Sequence, residues 1–396
     1  MPNLSKKVAT FTDSVIRRMT RIANQYNAIN LSQGFPEFDP PKALTDALKT
    51  VSDRGPHQYS ITWGAQNFRE ALAKKQSRCF GRDIDPNGEV LVTCGSTEAM
   101  ICAMLTVCDP GDKVIVFSPF YENYSADAIL SGAEPIFVPL VPPDFHFDVQ
   151  VLEEAFKQRP KALILCNPSN PSGKVFTREE LLTIGRLAEK YDAFVITDEV
   201  YEHIVYAPYE HVYFASLPGM AKRTIACSSL SKTYSITGWR LGYMIAPAEI
   251  IEHAKKVHDF LTVGAASPLQ EAAVVGLNFG PEYYAELAET YTEKRDFFLE
   301  GLRSAGLKHT VPQGAYFVLA DISEFIEDGD FRMRNGLKTS SDVEFCEWLA
   351  KEVGVAAVPG SSFFREDVNH LIRFHFAKQK ETMALAVERL SQLRTK

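Results

Sequence analysis

"KALILCNPSNPSGKVFTREELLTIGRLAEKYDAFVITDEVY" runs from Lys161 to Tyr201 and reads as strand, stiff loop, helix and second strand. The apolar runs "KALILC" (161–166) and "AFVIT" (193–197) do not alternate with polar residues, as expected for strands covered on both faces. Between them, Thr177 with Glu180 three residues later forms a capping box, which satisfies free amides at a helix start. It predicts a helix from Thr177 to Tyr191. Five more runs are of the same kind: "EVLVTC" (89–94), "KVIVFS" (113–118), "EPIFVP" (134–139), "RTIAC" (223–227) and "RLGYMIA" (240–246). Helical stretches lie between several of them. The pattern predicts an α/β fold built on a mainly parallel, seven-stranded sheet.

The pattern changes after about residue 280. An amphipathic stretch from Pro281 to Ala305 ends at Gly306, a C-cap. It is followed by "AYFVLADIS", a helix from about Ser341 with a second capping box at Glu344, the strand "HLIRFHFA" and a last helix to Leu393. This is α+β order and predicts a smaller domain over 281–396, beside a large domain over 41–280. "DPP" at Asp39–Pro41 breaks the chain early, which assigns residues 1–40 to the smaller domain, so that both termini form it. A chain of 396 residues suits one large domain plus a small one.

Composition removes several classes. Hydrophobic residues at 45% and charged ones at 23% are globular values, not those of a disordered chain. A net charge of −8 opposes nucleic-acid binding, which needs a basic surface. No apolar run reaches the roughly 20 residues of a membrane helix, and the N-terminus has no continuous apolar stretch of a secretory signal. The seven cysteines are odd in number and show neither CxxC nor zinc spacing, so they read as thiols of a reducing cytoplasm, with no metal.

Chemistry concentrates at four places. "SSLSKTYSITGWRLGY" (228–243) sets Lys232 among hydroxyls, with Arg240 downstream. A lysine used by an enzyme mainly forms Schiff bases with aldehydes or ketones, its pKa lowered by burial or by a neighbouring charge. Ser229, Ser231 and Arg240 offer hydroxyls and a guanidinium to a phosphate dianion. On this segment alone a lysine in an exposed loop fits equally well. "ITDEVYEH" places Asp198 and Glu199 at the carboxyl end of a strand, where open α/β sheets bind ligands. An acid there pairs with a protonated ring nitrogen or caps a helix. Tyr201 adds a phenol. "CNPSNPSG" (166–173) stiffens a loop with two Asn-Pro pairs and holds Asn170 at little entropic cost. In "TCGSTEAM", Gly95 turns the chain into a helix starting at about Thr97, whose free amides make an anion site. Gly-x-Gly-x-x-Gly and the Walker pattern are both absent.

Together these segments resemble the pyridoxal-phosphate-dependent class I/II aminotransferases of fold type I. "SLSKTYSITGWRLGY", "TDEVY" and "NPSNPSG" carry the likeness, which runs from "INLSQGFPEFDPP" to "HLIRFHFA". The resemblance implies that Lys232 forms the Schiff base with pyridoxal 5′-phosphate, and that Asp198 keeps its ring nitrogen protonated. Asn170 and Tyr201 contact the ring hydroxyl. Ser229, Ser231 and Arg240 bind phosphate, joined by the turn at Gly95 and the amides of Ser96 and Thr97. Tyr121, in "SPFYENY", stacks on the ring. Tyr59, in "HQYS", reaches the phosphate of a second subunit, which implies a homodimer with shared active sites. Arg373, in "HLIRFHF", grips the substrate α-carboxylate opposite Gly34 of "SQGFP". The bland reading of Arg373 is a surface charge on an edge strand. Lys232 then acts as base at the substrate Cα, and an amino group passes from an L-amino acid to a 2-oxo acid in ping-pong order.

Three rivals remain to be weighed. A C–S β-lyase uses the same fold and lysine. A penicillin-binding acyltransferase shares Ser229-x-x-Lys232, but its Ser-Asp-Asn and Lys-Thr-Gly partners are missing. A cofactor-sensing regulator is expected to carry a DNA-binding domain in front, for which the fewer than 40 residues before the family region leave no room. Aspartate aminotransferases add a second cation for the side-chain carboxylate, which the sequence does not place. Gly264 and Ala265 stand where kynurenine- or glutamine-specific relatives resemble an aromatic–His pair; small residues leave room there without naming what fills it. A broad, aromatic, methionine- or glutamine-type donor is expected, with 2-oxoglutarate or another small oxo acid as acceptor, and an aspartate aminotransferase is the alternative.

Overall fold

The computed structural model describes residues 2–5, 7, 11, 13–327, 330–332, 338–339 and 341–393. Met1 and residues 394–396, the outer ends of the two terminal segments, lie outside them. Every one of the seven apolar runs forms a strand of one sheet: β1 (Val90–Thr93), β2 (Lys113–Ser118), β3 (Glu134–Pro139), β4 (Ala162–Cys166), β5 (Phe194–Asp198), β6 (Thr224–Ser229) and β7 (Gly242–Ile245). Their spatial order is β1-β7-β6-β5-β4-β2-β3. Only β7 runs antiparallel to its neighbours, β1 and β6. The remaining pairs are parallel.

The continuous apolar pattern has a simple cause. Along β4, Leu163 and Leu165 enter one core, beneath helix α1 (Arg178–Lys190). Ile164 enters the opposite core with Ile196 of β5 and Ile225 of β6. Both faces are covered, so neither tolerates a polar residue, and each such buried side chain contributes about 1.5–3 kcal/mol. The Thr177 capping box forms as expected: Thr177 Oγ1 accepts from the Glu180 amide at 3.2 Å, and Glu180 Oε2 accepts from the Thr177 amide at 2.8 Å.

A second sheet is built by β8 (Lys308–His309), β9 (Phe317–Asp321), β10 (Val358–Pro359) and β11 (Leu371–His375), in the order β10-β11-β9-β8 and antiparallel throughout. The long helix Pro281–Ser304 lays Tyr291, Phe298 and Leu302 on it. Gly306, at φ 82°, turns the chain away, as the C-cap reading required. Met19 and Leu31 from the N-terminal segment join this core, and so do Val200, Tyr201 and Ile204, which follow β5. The second sheet is thereby held against the carboxyl ends of the first. β11 is an interior strand, with β9 on one side and β10 on the other, so Arg373 is not an edge charge. Its residue surface is 1% exposed.

Candidate active site

A cavity of about 440 Å³ opens between the two sheets. Segments from the carboxyl ends of five strands reach it: Ser96 and Thr97 after β1, Tyr121 after β2, Asn170 after β4, Asp198 and Tyr201 at and after β5, and Ser229, Ser231 and Lys232 at and after β6. Arg240 arrives just before β7, while Phe317 and Arg373 of the second sheet and Gly34 of the N-terminal segment close the cavity. Of the cofactor- and substrate-binding residues that the resemblance implied, Gly95 and Tyr59 do not line it, and neither do Glu199, Gly264 and Ala265. Gly95 lies behind Arg240, where an added Cβ would stand 2.3 Å from Arg240 Nη2, and its φ of 85° suits glycine. Tyr59 is 85% exposed on the outside of this chain.

One end of the cavity is built for an anion. Helix α2 (Ser96–Val107) follows Gly95 and points its free amides inward, one residue earlier than the sequence suggested. Gly242 pairs with Thr93 on one side and Ser229 on the other, and a Cβ there would stand 2.5 Å from the Ser96 amide nitrogen. Glycine at this point lets the helix start approach the serine loop. Arg240 donates from Nη1 to the Thr237 carbonyl at 2.9 Å and has no carboxylate partner among the described residues.

Asp198 forms the floor. Its Oδ2 accepts from the Tyr124 hydroxyl at 2.8 Å, and its Oδ1 from the Val200 amide at 3.4 Å. Burial raises its pKa, while the Tyr124 bond, the amide and the Lys232 charge oppose the rise. Tyr124 was not singled out in the sequence. Its only signal is a position three residues after Tyr121, one helical turn along.

Lys232 and Arg373 occupy the wall. Lys232 Nζ donates to the Gly34 carbonyl at 3.1 Å. Burial, then the charge of Arg240, brings its pKa down to about 8, with Asp198 opposing and Arg373 assisting. Arg373 donates from Nη1 to Asn170 Oδ1 at 2.7 Å and from Nη2 to the Ser32 carbonyl at 2.6 Å. Its guanidinium lies 4.4 Å from the Phe317 ring centre and 4.7 Å from that of Phe363. Nε has no partner, and no carboxylate pairs with the group among the described residues. Burial lowers its pKa to about 10, so it stays charged at neutral pH.

These donors fit pyridoxal phosphate. Hydroxyls, helix amides and Arg240 suit a phosphate, a buried carboxylate suits a protonated ring nitrogen, and a lysine of lowered pKa suits an aldehyde. The site therefore defines a pyridoxal-phosphate enzyme acting on amino acids.

The comparisons agree. Residues 26–390 match the family model described as aminotransferase class I and II. The methionine aminotransferase of Escherichia coli is 38% identical over 388 residues, which covers 98% of this chain and 97% of that one. Human kynurenine–oxoglutarate transaminase 1 is 34% identical, with 93% of each chain covered. The solved N-succinyldiaminopimelate aminotransferase of Mycobacterium tuberculosis superposes with a TM-score of 0.93 at 36% identity, covering 99% of this chain and all of that one. This chain belongs to the class I and II aminotransferases: it is a transaminase of fold type I, and its cofactor is pyridoxal phosphate.

A pH prediction follows from Lys232. Only the neutral amine attacks an aldehyde. With a pKa of about 8, covalent capture of pyridoxal phosphate by cofactor-free protein gains about tenfold per pH unit below 8 and levels off above it. An ordinary lysine levels off near 10.4. Arg240→Gln removes a charge that lowers the pKa, so its bend moves to higher pH. Stopped-flow absorbance reads both bends; a wild-type bend near 10 contradicts the assignment.

Proposed function

We propose that the protein moves the amino group of a broad set of L-amino acids to 2-oxoglutarate, with aromatic, methionine- or glutamine-type donors foremost, in two ping-pong half-reactions. The observation that carries this is Arg373, a buried cation with neutral acceptors and an unpartnered Nε, in the same cavity as Lys232. A buried charge without an anion is costly, and a substrate α-carboxylate supplies the anion.

In this reading Ser229, Ser231, Arg240 and the amides of Ser96 and Thr97 hold the cofactor phosphate. Tyr121 stacks on the ring, and Asn170 and Tyr201 contact its hydroxyl. Asp198 holds a proton at the ring nitrogen, and Tyr124 orients Asp198. When bound, pyridoxal phosphate supplies an aldehyde and an electron-withdrawing ring that stabilises negative charge at the substrate Cα. Arg373 and Gly34 fix the α-carboxylate, which leaves the Cα proton facing Lys232. The lysine takes that proton, and its lowered pKa matches a base at neutral pH. Residues 41–280 form the large domain of this reading, and 1–40 with 281–396 the small one.

Two copies would complete each site. Tyr59 and Ile61 are exposed, and so are Phe260, Leu261 and Val263. His258 Nε2 lies 3.0 Å from the Thr62 carbonyl, and Thr62 Oγ1 donates to Asp259 Oδ1 at 3.4 Å, so both segments form one surface. Gly264 lies on this surface, where an added Cβ would meet only Thr62, at 3.6 Å or more. An exposed apolar patch of this kind suits an isologous contact.

Incubating the purified protein with L-methionine, L-phenylalanine or L-glutamine and 2-oxoglutarate should yield glutamate and the matching oxo acid without stoichiometric ammonia. Ammonia and pyruvate from a cysteine conjugate, with no glutamate formed, would instead mark a β-lyase.

Mixing tests the shared site. Tyr59→Asp and Lys232→Ala are each expected to be inactive. A mixed dimer holds one doubly damaged site and one intact site, so activity returns to about one site per mixed dimer by symmetry. Mixed dimers that form and stay inactive would place Tyr59 in its own chain's site.

A further inference from the structure

One cation at the cavity has no assignment. Arg17 lies in the first turn of the helix Val15–Gln25 and lines the cavity beside Ser14 and Glu122. Its neighbours are paired: Arg18 with Glu347 at 3.8 Å and Arg21 with Asp13 at 3.5 Å. The Arg17 guanidinium has no hydrogen bond or ion pair among the described residues. Glu122, the other charge at this end, accepts from Ser14 Oγ at 2.5 Å.

A structural role explains Arg17 poorly. A cation in the first turn of a helix opposes the helix dipole. Its side chain is exposed where it lines the cavity, so its charge is open to a ligand entering from solvent. The charge also reaches the interior: burial pushes the Tyr121 phenol up to about 12, and Arg17 is among the cations that pull against this. With Arg240 given to phosphate and Arg373 to the α-carboxylate, Arg17 is the cation left for the far end of a substrate.

We propose that Arg17 takes the distal carboxylate of a dicarboxylic substrate, so that the site favours 2-oxoglutarate and glutamate over acids with a single carboxylate. This rests on the transaminase reading of the cavity. It also supplies, from within one chain, the second cation that the sequence did not place.

The test uses holoenzyme converted to its amino form with L-methionine and freed of donor. Single-turnover rate constants are measured for 2-oxoglutarate and for 2-oxopentanoate, which lacks the second carboxylate. Both acceptors use the same lysine and Arg373, so the ratio of their rate constants isolates the far end. In Arg17→Gln the ratio should fall about tenfold, the loss of one charge-assisted contact. Arg17→Lys should keep most of it, since a point charge serves an exposed carboxylate. Glu122→Gln removes a like charge and should raise it. Calorimetric affinity for glutarate relative to pentanoate should follow the same order. The proposal is overturned if the Arg17→Gln ratio stays within about twofold of wild type, the scale of many exposed pairs. It is also overturned if Glu122→Gln lowers the ratio together with Arg17→Gln, which would make the two an ion pair framing the entrance. A wild-type protein with no rate for either acceptor strikes the transaminase reading instead, and the glutarate affinities then judge Arg17 alone.

Discussion

A guanidinium held between two phenylalanine rings, with no carboxylate beside it among the described residues, is the constraint around which this active site is arranged. Arg373 is 1% exposed. Removing such an ion from water costs several kcal/mol after relaxation. The rings of Phe317 and Phe363, Asn170 Oδ1 and the Ser32 carbonyl recover part of that cost. These partners come from β9, a loop after β10, the loop after β4 and the N-terminal segment. One cation therefore depends on four separate pieces of chain being in register. An anion from outside offsets the remainder, and binding a carboxylate is the direct result.

The same logic extends over the cavity. Lys232, Arg240, Arg373 and Arg17 face only Asp198 and Glu122 among its described lining residues. Excess positive charge draws in phosphate and carboxylates. It also favours the neutral form of Lys232, since Arg240 and Arg373 both push its pKa down. Added to the burial of Lys232, the same charges that attract the ligand thus help keep the amine unprotonated. The sheet makes this possible by ending five strands at one place, where a rigid scaffold holds the loops that carry the side chains.

Much of this was legible in the chain. Strands covered on both faces leave continuous apolar runs, so β1–β7 could be read directly, and their carboxyl ends pointed to Asp198, Asn170 and Lys232. Short motifs that fix backbone were equally readable, as with the Thr177 capping box and the turn at Gly95. What stayed hidden depends on tertiary packing. Nothing in "HLIRFHF" says that β11 has a neighbour on each side, so burial of Arg373 could not be separated from an edge position. Tyr124 needs β5 beside its helix before its hydroxyl has a target. Arg17 needs the N-terminal helix folded over the opening, and a lone arginine in an amphipathic stretch gives no hint of that.

The most direct measurement is the thermal midpoint of holoenzyme as a function of added 3-phenylpropionate, for wild type and Arg373→Met. Ligand that binds only the folded state stabilises it by RT ln(1 + [L]/Kd), so the wild-type midpoint should climb steadily with concentration. Methionine fills a similar volume between Phe317 and Phe363 but carries no charge, so the variant's midpoint should stay flat over the same range. Equal climbs in both proteins would mean that the carboxylate is held elsewhere and that the buried guanidinium is only a structural ion.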